Sequence, residues 1–477
     1  MTLDERLIRV VPEERQVAIQ RLEFYAFIHF TVNAFTDREW GDGTESPAIF
    51  NPEKLDADQW VRAVRRAGMR GLILTCKHHD GFCLWPSKYT AHSVASSPFR
   101  GGRGDVVREV SDACRRQGIR FGVYLSPWDR NCPKYGSGRE YDDYFVSQLT
   151  ELLTGYGEIF SVWFDGACGE GPNGKKQVYD WPRYFETVRA LQPGACMSVC
   201  GPDVRWCGNE AGQTRPSEWS VVSARMRDTE KTAGDSQKAD SAAFRLRPLR
   251  AQDQDLGSRE ALRDEPELVW YPAEVNTSIR PGWFWHASEN DKVKSLDQLK
   301  KIYLNSVGGN ATFLLNVPPT DEGLIHENDV KRLAQLGDFI KNAFARNLAP
   351  EAEIRASAHV PGCGPEHLTE DAPEPYYMSE GPTAELTLQF PRRERLGWLV
   401  LRENIRMSQR IERFTVEIAR DDGWKEAYSG TVVGNKRIVP LNGAAADAVR
   451  VRITDARVAP TLAFLGVYAA DGASLPE

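Results

Sequence analysis

Between residues 24 and 344 the chain repeats one pattern, a short apolar run followed by a stretch of helical periodicity. Strand-like runs occupy residues 24–30 (FYAFIHF), 71–77, 120–126 (RFGVYLS), 159–165 (IFSVWFD) and 195–200. Between them, Leu55, Trp60, Val61, Val64 and Ala67 fall on one helical stripe that ends in Gly68. Val106, Val107, Val110, Ala113 and Cys114 repeat the plan before Gly118, and residues 141–157 and 180–193 do so again. Further strand patterns follow at 271–276 and 311–318, with helices at 295–307 and 328–344. Repeated βα units imply parallel strands, and this many of them predicts a (β/α)8-like barrel. A doubly wound open sheet is the alternative, but no GxGxxG opens a helix after the first strand.

Past residue 349 the pattern changes to alternating strands, at 384–390, 396–401, 413–419, 449–454 and 463–468. The expected organisation is therefore a barrel over residues 1–349 and an antiparallel β-sandwich over 350–477. Residues 224–266 interrupt the barrel rhythm with a polar, charge-dense stretch, expected to be a solvated, flexible insertion. Eleven of thirteen tryptophans and six of eight histidines lie before residue 350, which places the chemistry in the barrel. A net charge of −7 without a basic tract argues against a nucleic-acid partner. No apolar run is long enough for a membrane span. The start, MTLDERLIRVVPEERQVAIQ, lacks the apolar core of an export signal. As written the chain is expected in the cytoplasm, and outside it if a leader has been removed. Nine cysteines scattered without CxxC pairs read as reduced thiols.

In a parallel barrel, function sits where strands end. Those ends carry His29, then His78, His79 and Asp80, then Tyr124, then Trp163 and Asp165. After the fifth run comes GPDVRWCGNEAG, with Arg205, Trp206 and Glu210. Aromatic faces suit the C–H surface of a sugar, and imidazoles and carboxylates suit its hydroxyls. His78, His79 and Asp80 could also ligate the ion of a metal-dependent hydrolase. Against that, neighbours on an extended segment point to opposite sides. A barrel that binds sugar without cleaving it is the non-enzymatic alternative, opposed by the presence of both Asp165 and Glu210.

The segments FIHFTVNAFTDREWGDG, LTCKHHDGFCLWPSKYT, FGVYLSPWDR, VWFDGACGEGPNG and PAEVNTSIRPGWFWH resemble, in order, those of family 29 glycoside hydrolases. These are retaining α-L-fucosidases with barrels that often lack helices. The GNEAG segment is similar to the subgroup that prefers α-1,3/1,4-linked fucose on Lewis-type glycans. The resemblance implies that Asp165 is the nucleophile. Glu210 is the expected general acid/base, with Glu274 as runner-up. By the same analogy His29, His78, His79 and Tyr124 bind fucose hydroxyls, Glu39 and Trp40 complete the pocket, and Trp40 or Trp283 stacks against the sugar's methyl-bearing face, while Arg205 and Trp206 serve subsites or pack their loop. The expected partner is a fucosylated oligosaccharide or glycoconjugate, with no cofactor and no catalytic metal.

Overall fold

The computed structural model describes residues 1–249, 254–421 and 423–470. Eight strands form one all-parallel sheet: β1 (Phe24–Ile28), β2 (Gly71–Lys77), β3 (Arg120–Leu125), β4 (Ser161–Phe164), β5 (Cys196–Val199), β6 (Arg205–Trp206), β7 (Ala273–Ser278) and β8 (Thr312–Asn316). Their order is β5-β4-β3-β2-β1-β8-β7-β6, so the sheet curls almost into a ring. Only an isolated bridge, Ser198 to Val204, joins its two ends. Nearly every residue on these strands is buried. That accounts for the apolar runs in most of them, since parallel strands are covered on both faces; β7, AEVNTS, is the polar exception.

Helices α1 (Ala57–Arg66), α2 (Val106–Gln117), α3 (Arg139–Gly155) and α4 (Trp181–Leu191) connect the first five strands. α5 (Leu296–Ser306) joins β7 to β8, and α6 (Glu327–Ala343) follows β8. Asp56 and Asp105 start α1 and α2 by accepting from the Gln59 and Arg108 amides, which satisfies groups the helix itself leaves unpaired. No helix separates β5 from β6. The chain reverses there at Val199, whose φ of +66° is left-handed and unfavourable for a β-branched side chain.

The link from β6 to β7 is the insertion, framed by an antiparallel pair, Val221–Ser223 with Leu268–Trp270. Most of its described residues are exposed or half-buried, in keeping with a solvated insertion, yet it is docked at several points. Short helices run at Thr229–Asp235, Ala242–Arg245 and Arg259–Leu262, while residues 250–253 lie outside those described. Leu262 is buried with Leu7, Val17, Val221, Trp270 and Ile405. Arg259 reaches Asp4 at 2.7 Å and Asp455 at 2.9 Å, tying the segment to the N-terminus and to the C-terminal sheet. Leu262 and Arg259 are among the contacts that dock this stretch, which average polarity does not reveal.

Beyond the barrel, two long strands, Ala384–Arg402 and Arg437–Ala456, pair antiparallel with breaks in register near Gln389 and Leu396. Glu353–Ala356, Ile411–Arg420, Gly423–Gly430 and Phe464–Ala469 complete the sheet. Leu386 and Leu388 from the first half of one long strand share a core with Leu399 and Leu401 from its second half. The barrel followed by an antiparallel β-sandwich is thus as expected. Trp398 packs towards the barrel, with ring centroids 6.4 Å from both Phe339 and Phe344. Trp424 lies on the surface under the Arg450 guanidinium, 4.4 Å away. Buried Glu23, immediately before β1, pairs with Arg402 and, at 2.9 Å, with Lys436. Among the described residues no helix is long and apolar enough to cross a membrane.

Candidate active site

A cavity of about 540 Å³ opens at the C-terminal ends of the barrel strands. Its lining includes His29, Trp40, His78, His79, Asp165, Trp206, Glu210 and Trp283 from the sequence reading. Trp163, also read at a strand end, lines it too, Phe27 and Asn276 join them, and strand alternation accounts for each. Phe27 precedes His29 by two, Trp163 precedes Asp165 by two, and Asn276 follows Glu274 by two, so each pair shares a face. Ser236 and Gln237 of the insertion also line the cavity, without any signature in the sequence.

Asp165 sits just past β4. Its carboxylate accepts from the Tyr124 hydroxyl at 2.8 Å and from the Ala167 amide at 2.8 Å. Tyr124 was expected to meet a sugar hydroxyl; it is fully buried, and its hydroxyl is given to Asp165. Glu210 lies in the loop after β6, where Gly208 at φ +102° and Gly212 at φ +76° take turns that other residues resist. The Asn209 side chain ties this loop by accepting from the Ala211 and Gln213 amides, both at 3.0 Å. Half-buried Glu210 accepts from Trp283 Nε1 at 3.0 Å. Burial pushes its carboxyl up to about 7; Trp283 opposes the shift and the Asp165 charge adds to it.

Glu274 does not line the cavity. It lies beneath Trp163 inside the barrel, where Tyr25 Oη and Trp163 Nε1 donate to it at 2.5 and 2.7 Å. Burial raises its carboxyl to about 7 as well, but it faces aromatic side chains rather than open space. Glu39 also departs from expectation. Its carboxylate turns to the backbone, accepting from the Trp283 and Phe284 amides at 2.8 and 3.0 Å and from His286 at 2.8 Å. It braces the loop that carries Trp283. Arg205 is occupied too, in a buried pair with Glu218.

The hydrogen-bond network sets the histidine tautomers. Asn316 donates its Nδ2 to Ser278 and to the Trp283 carbonyl, so its Oδ1 accepts from His29 Nδ1 at 2.8 Å. Ser126 donates to the Trp128 carbonyl and therefore accepts from His79 Nδ1 at 2.7 Å. Burial lowers His29 to about 3, His79 to about 4, and His78 well below its ordinary value. All three are neutral at pH 7, and His29 and His79 carry their lone pairs on Nε2. His79 Nε2 lies 3.8 Å from the Asp165 carboxylate, acceptor facing acceptor. A hydroxyl donor relieves that arrangement.

The two adjacent imidazoles do not diverge as expected. β2 ends at Lys77, so alternation stops before His78, and the His78 and His79 rings lie 4.1 Å apart. Asp80 instead turns inward, accepting from Thr31 and the Phe82 amide, and the His78–His79–Asp80 ligand set does not assemble. One donor atom each from His78, His79 and Asp165 falls within 4.8 Å of the others, a spacing a cation could also use. In that set Asp165 already receives the Tyr124 hydroxyl and the Ala167 amide.

Residues 20–343 match the sequence model of the family described as Alpha-L-fucosidase. The chain is 41% identical over 471 residues to Alpha-L-fucosidase 1 of Arabidopsis thaliana, covering 96% of this chain and 87% of that protein. A crystal structure of a glycoside hydrolase 29 family member from an unknown rumen bacterium superposes with a TM-score of 0.79 at 37% identity, over 98% of this chain and 78% of the other. A GH29 fucosidase from Ruminococcus gnavus, solved in complex with fucose, gives a TM-score of 0.82 at 29% identity, over 97% and 95% of the two chains.

Proposed function

This chain belongs to the α-L-fucosidase family of glycoside hydrolases, and we propose that it is an exo-acting, retaining enzyme releasing terminal α-1,3/1,4-linked L-fucose from Lewis-type oligosaccharides or glycoconjugates. The observation that carries the reading is one cavity holding two carboxyls in opposite environments. Asp165 accepts hydrogen bonds from Tyr124 and Ala167, while burial keeps Glu210 protonated up to about pH 7. Asp165 attacks the anomeric carbon as Glu210 gives its proton to the departing oxygen, leaving a fucosyl ester on Asp165. Glu210 then takes a proton from water, whose oxygen attacks the same carbon and frees both fucose and Asp165.

The neutral imidazoles of His29, His78 and His79 accept from fucose hydroxyls, and Trp40 and Trp283 pack on its C–H faces. Fucose bound in the Ruminococcus gnavus relative supports the same sugar here. The α-1,3/1,4 preference rests on the GNEAG segment that carries Glu210. A fluorinated α-L-fucosyl inhibitor should form a stable ester at Asp165, located by peptide mapping, and the first-formed fucose should be the α-anomer by NMR. A label on another residue, or β-fucose released first, overturns the assignment. Equal turnover of α-1,2-linked substrates overturns the linkage preference alone.

A further inference from the structure

A second cavity, of about 730 Å³, adjoins the first, and the Trp206 ring borders both. It lies between the Glu210 loop, through Cys207 and Gly208, and the Thr229–Asp235 helix of the insertion. Arg205, Arg215, Lys231 and Arg247 line it, with Asp235 the one carboxylate among its described lining residues. Arg205 is 2% exposed and donates to Glu218 and to the carbonyls of Trp219 and Tyr271, yet its Nη1 has no partner. The Arg247 guanidinium rests on the Phe244 ring at 4.5 Å and donates to the Asp235 carbonyl at 3.3 Å. Among the described residues neither it nor Lys231 is paired with a carboxylate.

Beyond its pair with Glu218, the buried Arg205 guanidinium keeps an idle N–H donor beside two cations that no described carboxylate pairs, and together they offer donors and charge to an anion. Its position identifies what would bring the anion. Glu210 protonates the leaving oxygen, so the saccharide attached to that oxygen passes along the Glu210 loop and reaches Trp206. We infer that the second cavity is an aglycone subsite for an anionic group, a sugar carboxylate or a sulfate ester, on the glycan from which fucose is removed. The inference rests on the proposed role of Glu210, and its test separates the two.

Asp165→Asn enzyme, able to bind but not to turn over, is titrated calorimetrically with two fucosylated oligosaccharides that differ only in a carboxylate on the aglycone, and with a sulfated counterpart. The acidic ligands should bind about tenfold more tightly at low salt, an advantage that shrinks as salt screens it. Adding Lys231→Ala and Arg247→Ala, both outside the fucose cavity, should erase the advantage and leave the neutral ligand unchanged. Preference for only one of the two acids identifies the group the subsite takes. Equal binding of neutral and acidic ligands overturns the subsite alone. If no ligand binds, the fucosidase reading falls and the subsite with it.

Discussion

Glu210 holds its proton near neutrality because the cavity wall removes water from it, and Asp165 adds its negative charge. Arg245 pulls the other way. Its guanidinium lies 3.5 Å from Glu39, and its charge lowers the proton affinity of Glu210. The acid must be protonated for the first step, so kcat/KM should fall as pH rises through about 7. Arg245→Ala should move that alkaline limb upward, as a pH profile with a natural oligosaccharide would record. An unmoved limb would mean that Glu210 is not the group titrating. Glu210→Ala should cost roughly 10²–10⁴-fold on that substrate and far less on an activated aryl fucoside.

The elements that build the site were legible to different degrees. The insertion read as polar overall, yet Leu262 is 1% exposed. Leu262→Ala should therefore cost about 2–5 kcal/mol in chemical denaturation. A loss within about 0.5 kcal/mol, as at an ordinary surface position, would show the segment undocked. β2 was legible to the residue, because Leu72, Ile73 and Leu74 give a short apolar run that leads straight to the strand end before His78. β6 was not, since its two residues are too few for any periodicity to register. Asp165 and Glu210 were legible as rim carboxylates after strand-like runs. For Glu39 and Tyr124 the partners were not legible, because rim position says where a residue sits, not which partner takes its polar atom. Gln237 was invisible, since its place depends on how the insertion folds back over the barrel.

At the scale of the whole molecule, the C-terminal sheet holds the base of β1, the strand that leads into His29. Glu23 precedes β1 and is enclosed by Arg402 and Lys436, whose charges hold its carboxyl far below the usual range against the effect of burial. Glu23→Gln leaves buried Lys436 without its carboxylate and Arg402 with Asp371 alone, 3.1 Å away. It should destabilise the protein by about 3–5 kcal/mol, read from urea unfolding. A loss under about 1 kcal/mol would show that the joint does not depend on this charge. The barrel itself is a split hoop. Seven continuous strand pairings form its stiff arc, and one bridge between Ser198 and Val204 closes it beside the left-handed Val199. Asp165 stands on the lip ending in β4 and β5, and Glu210 hangs from the opposite lip, after β6. Any gape of the hoop at its slit therefore changes the spacing of the two carboxyls first, and leaves the histidines on the stiff arc nearly where they were.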